Sequence, residues 1–240
     1  MNTFFIADLH LGHKNILSYD NRPFTDIETH DKYIIDKWNE TVGYEDEVWI
    51  LGDLSWHSST KTIAILEQLN GIKHLIIGNH DKKLLKNRDF QAQFQSIQDY
   101  KELQIAKPDG QGSELLVLSH YPIPCFNRHY YGAYHLYGHV HDSYEWNMME
   151  HLRRQFEELY SQPCNMINIG AMLPYINYTP RTFNEIIEKY DVFLEKTIIN
   201  NAAAILKAQE AFEGVSEHLD VTDENDVQDL VDEIRQGDDL

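Results

Sequence analysis

Five short groups of residues in this 240-residue chain are of the types that bind divalent metal ions and move protons. They are Asp8-Leu9-His10, Gly52-Asp53, Gly78-Asn79-His80-Asp81, Ser119-His120 and Gly138-His139-Val140-His141. Imidazole and carboxylate ligands suit Zn, Mn, Fe, Ni and Co, and no thiolate competes within the groups. Residues two apart project to the same side of an extended segment, which pairs Asp8 with His10 and His139 with His141. A glycine ahead of Asp53, Asn79 and His139 permits a tight turn and close approach of backbone to a site. Each group alone is weak: a single histidine is commonly a satisfied surface or core residue, and Asn-His-Asp can be a turn. Their joint occurrence is hard to explain as structure, because burying this many ionisable groups without metals is costly.

Each group follows an apolar run: Thr-Phe-Phe-Ile, Val-Trp-Ile-Leu, Leu-Ile-Ile, Leu-Val-Leu and His-Leu-Tyr. These runs read as strands over 3–6, 47–51, 73–77, 114–118 and 135–137. Helical spacing places Tyr33, Ile34, Trp38 and Val42 on a helix over 29–42. Ile63, Leu66 and Leu69 mark another over 60–70, with Gly71 as its C′ residue. This β-α-β-α-β opening predicts an α/β fold with strands buried on both faces. In open α/β sheets, ligands gather at the carboxyl ends of the strands, so five polar groups at five strand ends converge on one place. Later, 102–106 and 114–118 flank a Pro-Asp-Gly-Gln-Gly hairpin signal, 166–169 reads as a strand, and 146–160 reads as a helical insertion directly after His141. From 182 to 212 the pattern is helical.

Composition narrows the partners. Lys and Arg number 20 against 39 Asp and Glu, for a net charge of −19. That disfavours a protein that grips an extended nucleic acid by counterion release, and leaves room for a small phosphorylated substrate. Residues 213–240 hold eleven acidic side chains and one basic one, Arg235, and read as a partly disordered acidic tail. No run reaches the ~18 apolar residues of a membrane span. The first residues lack a basic stretch and a signal-like apolar segment. With only Cys125 and Cys164, no disulfide framework exists, and a cytoplasmic location is expected.

The five groups, in this order, resemble the pattern of the calcineurin-like metallophosphoesterase superfamily: Asp-x-His, Gly-Asp, Gly-Asn-His-Asp/Glu, His, Gly-His-x-His. The segments Asp8-Leu-His-Leu-Gly-His-Lys-Asn-Ile16, Asn21-Arg-Pro-Phe24 and His135-Leu-Tyr-Gly-His139 look like a subgroup of small bacterial and phage phosphoesterases. The resemblance covers roughly residues 1–190, with 191–240 as a C-terminal helix and acidic tail able to build a homo-oligomer or merely solubilise the end. It implies two β-sheets sandwiched together and flanked by helices. It also implies that Asp8, His10 and His141 bind one metal ion, that Asn79, His120 and His139 bind a second, and that Asp53 bridges them. His80, supported by Asp81, is implied to sit beside the metals without ligating. Two divalent ions, set against Asp8, Asp53 and a bridging hydroxide, leave a net charge of about +1 to attract phosphate. The hydroxide is then expected to attack phosphorus while His80 protonates the leaving oxygen. Manganese is the expected metal, with Fe, Ni, Zn or Co as alternatives.

Other residues carry weaker expectations. His13 is a candidate for substrate phosphate or for capping a loop. Arg22 is a candidate bidentate phosphate clamp, or a loop salt bridge. Asn127, Arg128 and His129 are candidates to line the pocket, and His57 to lie near it. Tyr130, Tyr131, Tyr134 and Tyr137 can stack a base or simply pack, and His30, His74, His151 and His218 have no motif context. The expected function is hydrolysis of a small phosphodiester or phosphomonoester, a nucleotide by preference. The alternatives are a nuclease acting on short nucleic acid, and a scaffold that kept the fold without the chemistry.

Overall fold

A computed structural model describes residues 1–107 and 111–197 of the chain. The tip of the expected hairpin, at 108–110, and the expected C-terminal helix beyond 197, acidic tail and oligomer contact lie outside the described residues.

The strands are β1 (Thr3–Ile6), β2 (Glu47–Leu51), β3 (Ile72–Ile76), β4 (Ser96–Gln98), β5 (Tyr100–Ala106), β6 (Ser113–Ser119), β7 (Tyr134–Tyr137), β8 (Asn165–Asn168) and β9 (Arg181–Thr182). The helices are α1 (Ile16–Tyr19), α2 (Ile27–Thr41), α3 (Ser59–Leu66), α4 (Arg88–Gln91) and α5 (Tyr144–Tyr160). The strands form two mixed sheets, ordered β4-β3-β2-β1-β9 and β5-β6-β7-β8. In the first, β1 to β4 run parallel and β9 antiparallel to β1. In the second, β5 is antiparallel to β6, and β6, β7 and β8 run parallel. The result is a mixed α/β fold. A parallel bridge between Ala7 and Gly170 joins the exit of β1 to that of β8.

The apolar runs behave as parallel strands covered on both faces. Phe4, Phe5 and Ile6, Val48 to Leu51, and Leu116 to Leu118 are all buried, where a half-exposed strand would alternate. The edge strand β5 does alternate between exposed and half-buried residues.

The helix ends follow from local chemistry. α2 begins at Ile27, two residues before the spacing alone indicates, because Asp26 caps it by accepting from the Thr29 amide. α3 ends at Leu66, short of residue 70. The amides of Gln68 and Leu69 bond three residues back, tightening the chain into a 3-10 exit, and Gly71 follows with φ +85°. α5, the insertion after His141, starts at Tyr144 under a Ser143 cap on the Glu145 amide. It is pinned from inside: the Tyr190 hydroxyl donates to the Glu150 carboxylate at 2.8 Å, and Arg153 Nε reaches the same group at 3.2 Å. Met1–Asp191 form one compact unit; a second begins at Val192, of which the described residues, 192–197, are helical. Among the described residues no helix is long and apolar enough to cross a membrane.

Candidate metal centre

Every sequence group sits just past the carboxyl end of a strand. Asp8 and His10 follow β1, Asp53 follows β2, Asn79 and His80 follow β3, His120 follows β6, and His139 and His141 follow β7. They converge into two triads, Asp8/His10/His141 and Asp53/His120/His139, each with ligand atoms within 4.8 Å of one another. The Asp53 carboxylate of the second triad also reaches the first: Oδ1 is 3.6 Å from His120 Nε2 of its own triad, and Oδ2 is 3.7 Å from His10 Nε2 of the other. Asn79 Oδ1 stands 2.9 Å from the same His120 nitrogen, which adds Asn79 to the second group.

The imidazoles are aimed from behind. His120 Nδ1 donates to the Leu51 carbonyl at 2.8 Å, which leaves Nε2 as the lone-pair nitrogen facing Asp53. His141 Nδ1 donates to Asp20 Oδ1, also at 2.8 Å, and its Nε2 faces His10 Nε2 at 3.1 Å. Burial, then the charges of His141 and Arg22, holds the His10 pKa well below the usual imidazole range. Burial, then the charge of His120, lowers that of His139. Neutral imidazole is the ligating form. Burial pushes Asp8 up despite the opposing charges of His141 and His120. Burial would lower His141, but its hydrogen bond to Asp20 and the charge of Asp8 outweigh that and raise it. A buried nitrogen and oxygen donor set with converging lone pairs and no sulfur fits divalent transition metals.

The backbone is strained where the triads are made. Among the described residues ten non-glycine residues have positive φ, and five are triad members: Asp8 (56°), His10 (53°), Asp53 (53°), His139 (72°) and His141 (50°). Left-handed backbone at a non-glycine residue costs roughly 1–3 kcal/mol and gathers at functional sites. Two glycines make room. A Cβ on Gly52 would strike the His120 ring and come within 2.7 Å of Gly78 Cα; one on Gly138 would lie 2.7 Å from Ala7 Cβ and against the Asp8 carboxylate.

Several expected roles change. Arg22 is buried, and its guanidinium is fully engaged. Nε and Nη2 clamp Asp20 at 2.9 and 2.8 Å, Nη2 also donates to the Asp8 carbonyl, and Nη1 reaches the Leu9 carbonyl and His30. No donor remains for phosphate, so Arg22 is the loop salt bridge and holds the strained Asp8 segment. Asp81 does not support His80: its carboxylate accepts from the amides of Asp53, Leu54 and Gly78 at 2.8–3.0 Å. It secures the loop that carries Asp53. Asn127 is turned to Glu102 on β5. Arg128 lies over the Tyr131 ring and lines a hollow with Ser113 and Leu115, at the opposite end of β6 from His120. Neither is brought to the triads.

His13 is brought there, its Nδ1 3.2 Å from His10 Nδ1. His80 is half exposed, with Nε2 3.9 Å from Asp53 Oδ2 and its amide donating to Asp53 Oδ1. Its support is Trp56. That indole is parallel to His13 at 4.2 Å and 3°, lies 4.6 Å from His10, and meets the His80 ring at 4.2 Å. His57 is held by Asp31 at 2.7 Å, in a chain that continues through His30 to Arg22. Asp20, Asp31 and Trp56 are contributors that motif spacing does not reveal.

No family model matches the chain. It is 43% identical over 91 residues to the Gene 66 protein of Mycobacterium phage L5, covering 37% of this chain and 44% of that protein. It is 40% identical over 110 residues to the uncharacterized protein MJ1445 of Methanocaldococcus jannaschii, covering 44% and 58%. The chain thus matches about half the length of these curated relatives. Among solved structures, the protein of unknown function AQ665 from Aquifex aeolicus superposes with TM-score 0.50 at 23% identity, covering 78% of this chain and 98% of that one. That likeness is one of fold.

Proposed function

We propose that this chain is a two-metal phosphoesterase of the calcineurin-like sandwich type that hydrolyses a small phosphate ester. The observation that carries the proposal is the Asp53 carboxylate, with one oxygen beside His120 of its own triad and the other beside His10 of the first. A shared carboxylate between two nitrogen-rich ligand sets is what a pair of ions needs to work on one phosphate. Asp8, His10 and His141 would hold one ion, Asn79, His120 and His139 the other, and Asp53 both. Such a pair supplies Lewis-acid charge at the phosphoryl oxygens and acidifies water. Manganese is our first choice, and the same ligands accept Fe, Co, Ni or Zn.

The chain's own residues then divide the work. His80 belongs to neither triad and stands half exposed beside Asp53, within reach of an ester oxygen above the site. It holds the proton that the leaving oxygen needs. Trp56 keeps the His80 ring in place, and Asp81 and Arg22 hold the strained ligand loops. The net charge of −19 works against a long polyanion and is compatible with a small ester bound at a locally cationic site. Both cysteines are free, Cys125 exposed and Cys164 buried, which suits a reducing cytoplasm. Reconstitution with each metal, followed by assay against phosphomonoesters, cyclic nucleotides, dinucleotides and oligonucleotides, tests the proposal. Hydrolysis of at least one small ester is expected. Failure on every ester by protein carrying two ions would overturn it.

A further inference from the structure

α5 starts three residues after His141, and its first turns wall a cleft that opens onto the second triad. The cleft, about 460 Å³, is lined by Tyr121, Pro122, His139, Tyr144, Glu145 and Met148, among others. That volume lies within the ~300–1,000 Å³ of small-molecule sites. The Tyr121 ring packs against the imidazoles of His139 at 4.5 Å and His120 at 5.1 Å, yet the residue is 48% exposed. Tyr144 and Met148 are 72% and 58% exposed. Large aromatic and thioether groups left this open beside a metal centre are suited to a flat ring. No lysine or arginine lines the cleft, so a second phosphate has nothing to pair with there. The one charged side chain, Glu145, accepts a long hydrogen bond from the Tyr144 hydroxyl at 3.4 Å and keeps acceptor capacity for a further N–H or O–H donor.

We propose that this cleft is a nucleobase subsite, so that the substrates are nucleoside monophosphate esters. The phosphate sits at the triads, as the phosphoesterase reading requires, and the base lies against Tyr121, Tyr144 and Met148. Glu145 accepts from a ring N–H or exocyclic amine, the edge that carboxylates take on cytosine. A polyphosphate or a longer strand would meet the negative charge of that carboxylate. Tyr130 and Tyr131, which a sequence reading offers for stacking, line no part of this cleft; Tyr131 lies with Arg128 on the far hollow.

The test compares nucleoside 5′-monophosphates with ribose 5-phosphate, an ester with the same leaving oxygen and no base, using the full metal-loaded chain. Base stacking on aromatic side chains predicts a KM about tenfold lower for the nucleotides. In Tyr144→Ala and Met148→Ala that gap should shrink severalfold, and Glu145→Gln should change the order of preference among the four bases. Equal KM values for base-bearing and base-free esters in the active wild type would overturn the subsite and leave the phosphoesterase reading standing. If no ester is hydrolysed at all, that reading fails, and saturation-transfer NMR with the four free nucleosides decides the subsite on its own. Transfer to base protons that disappears in Tyr144→Ala supports the subsite; no transfer to any nucleoside rejects it.

Discussion

Asp20 Oδ1 lies 2.8 Å from His141 Nδ1, while Nε2 of the same ring faces His10. The carboxylate fixes which nitrogen carries the proton and which offers its lone pair, and Arg22 clamps Asp20 in turn. An outer carboxylate of this kind typically governs about 10–100-fold in metal affinity. Asp20→Asn, which keeps the shape, should therefore weaken one of two binding steps by about tenfold or more in a calorimetric titration and leave the other nearly unchanged. Equal weakening of both steps, or of neither, would show that Asp20 does not act through His141.

The three amides gathered by Asp81 give its loss a distinct signature. Asp81→Asn can no longer accept at both oxygens from Asp53, Leu54 and Gly78. Stability should fall by about 1–3 kcal/mol, and metal affinity with it. The acidic and basic limbs of the pH–rate profile should stay where they are once metal is saturating. A displaced limb would restore Asp81 as a partner in proton transfer.

Trp56 carries His13 and His80 on one indole. Trp56→Ala should keep both ions, since neither triad contains it, and lower kcat on esters with poor leaving groups by about 3–10-fold. Trp56→Phe should recover most of that loss. A nitrophenyl ester, whose leaving group needs no proton, should respond less. An equal response to both esters would place the effect on binding and not on His80.

These contributors show where sequence reading stops. The ligand groups are legible because each follows an uninterrupted apolar run, and parallel strands buried on both faces have that composition. Asp20 is invisible for the opposite reason: it meets its partner across 121 residues, and no spacing rule connects a four-residue helix to the exit of β7. Arg22 suggests a phosphate clamp because its actual partners include the carbonyls of Asp8 and Leu9, which no side-chain pattern records. Asp81 adjoins His80 in sequence, but it begins a 3-10 helix over Asp81–Lys86, and its carboxylate meets the amides of Asp53 and Leu54 just past β2. Trp56 reads as an ordinary apolar residue. Strands of two or three residues such as β4 and β9 carry too little pattern to be seen, and they exist because neighbouring strands offer them backbone partners.

His135 supplies a pH dependence independent of the metal ligands. Its Nδ1 donates to the Val117 carbonyl and its Nε2 accepts from the Ile123 amide, and burial lowers its pKa from 6.5 to about 4. Between those values the unfolded chain takes up a proton that the folded chain refuses. The stability from neutral His135 is complete above about pH 6.5 and is lost as pH falls toward 4, on the order of 3 kcal/mol in all. Urea midpoints of the metal-free protein should decline over that interval. In His135→Gln, less stable near neutrality, the decline should be shallower. Parallel curves would show that His135 is not protonated on unfolding.

The most direct measurement counts metal ions in purified, reconstituted wild type and Asp53→Asn, with phosphoester hydrolysis assayed on the same samples. Asp53 belongs to the second triad and approaches His10 of the first, so on the proposed arrangement its loss removes the one shared ligand and a negative charge together. Wild type should hold two ions per chain and hydrolyse a small phosphate ester. Asp53→Asn should hold at most one ion tightly and turn over at least ~10²-fold more slowly. An Asp53→Asn protein that keeps two tightly held ions and wild-type turnover would contradict a shared two-metal centre at this site.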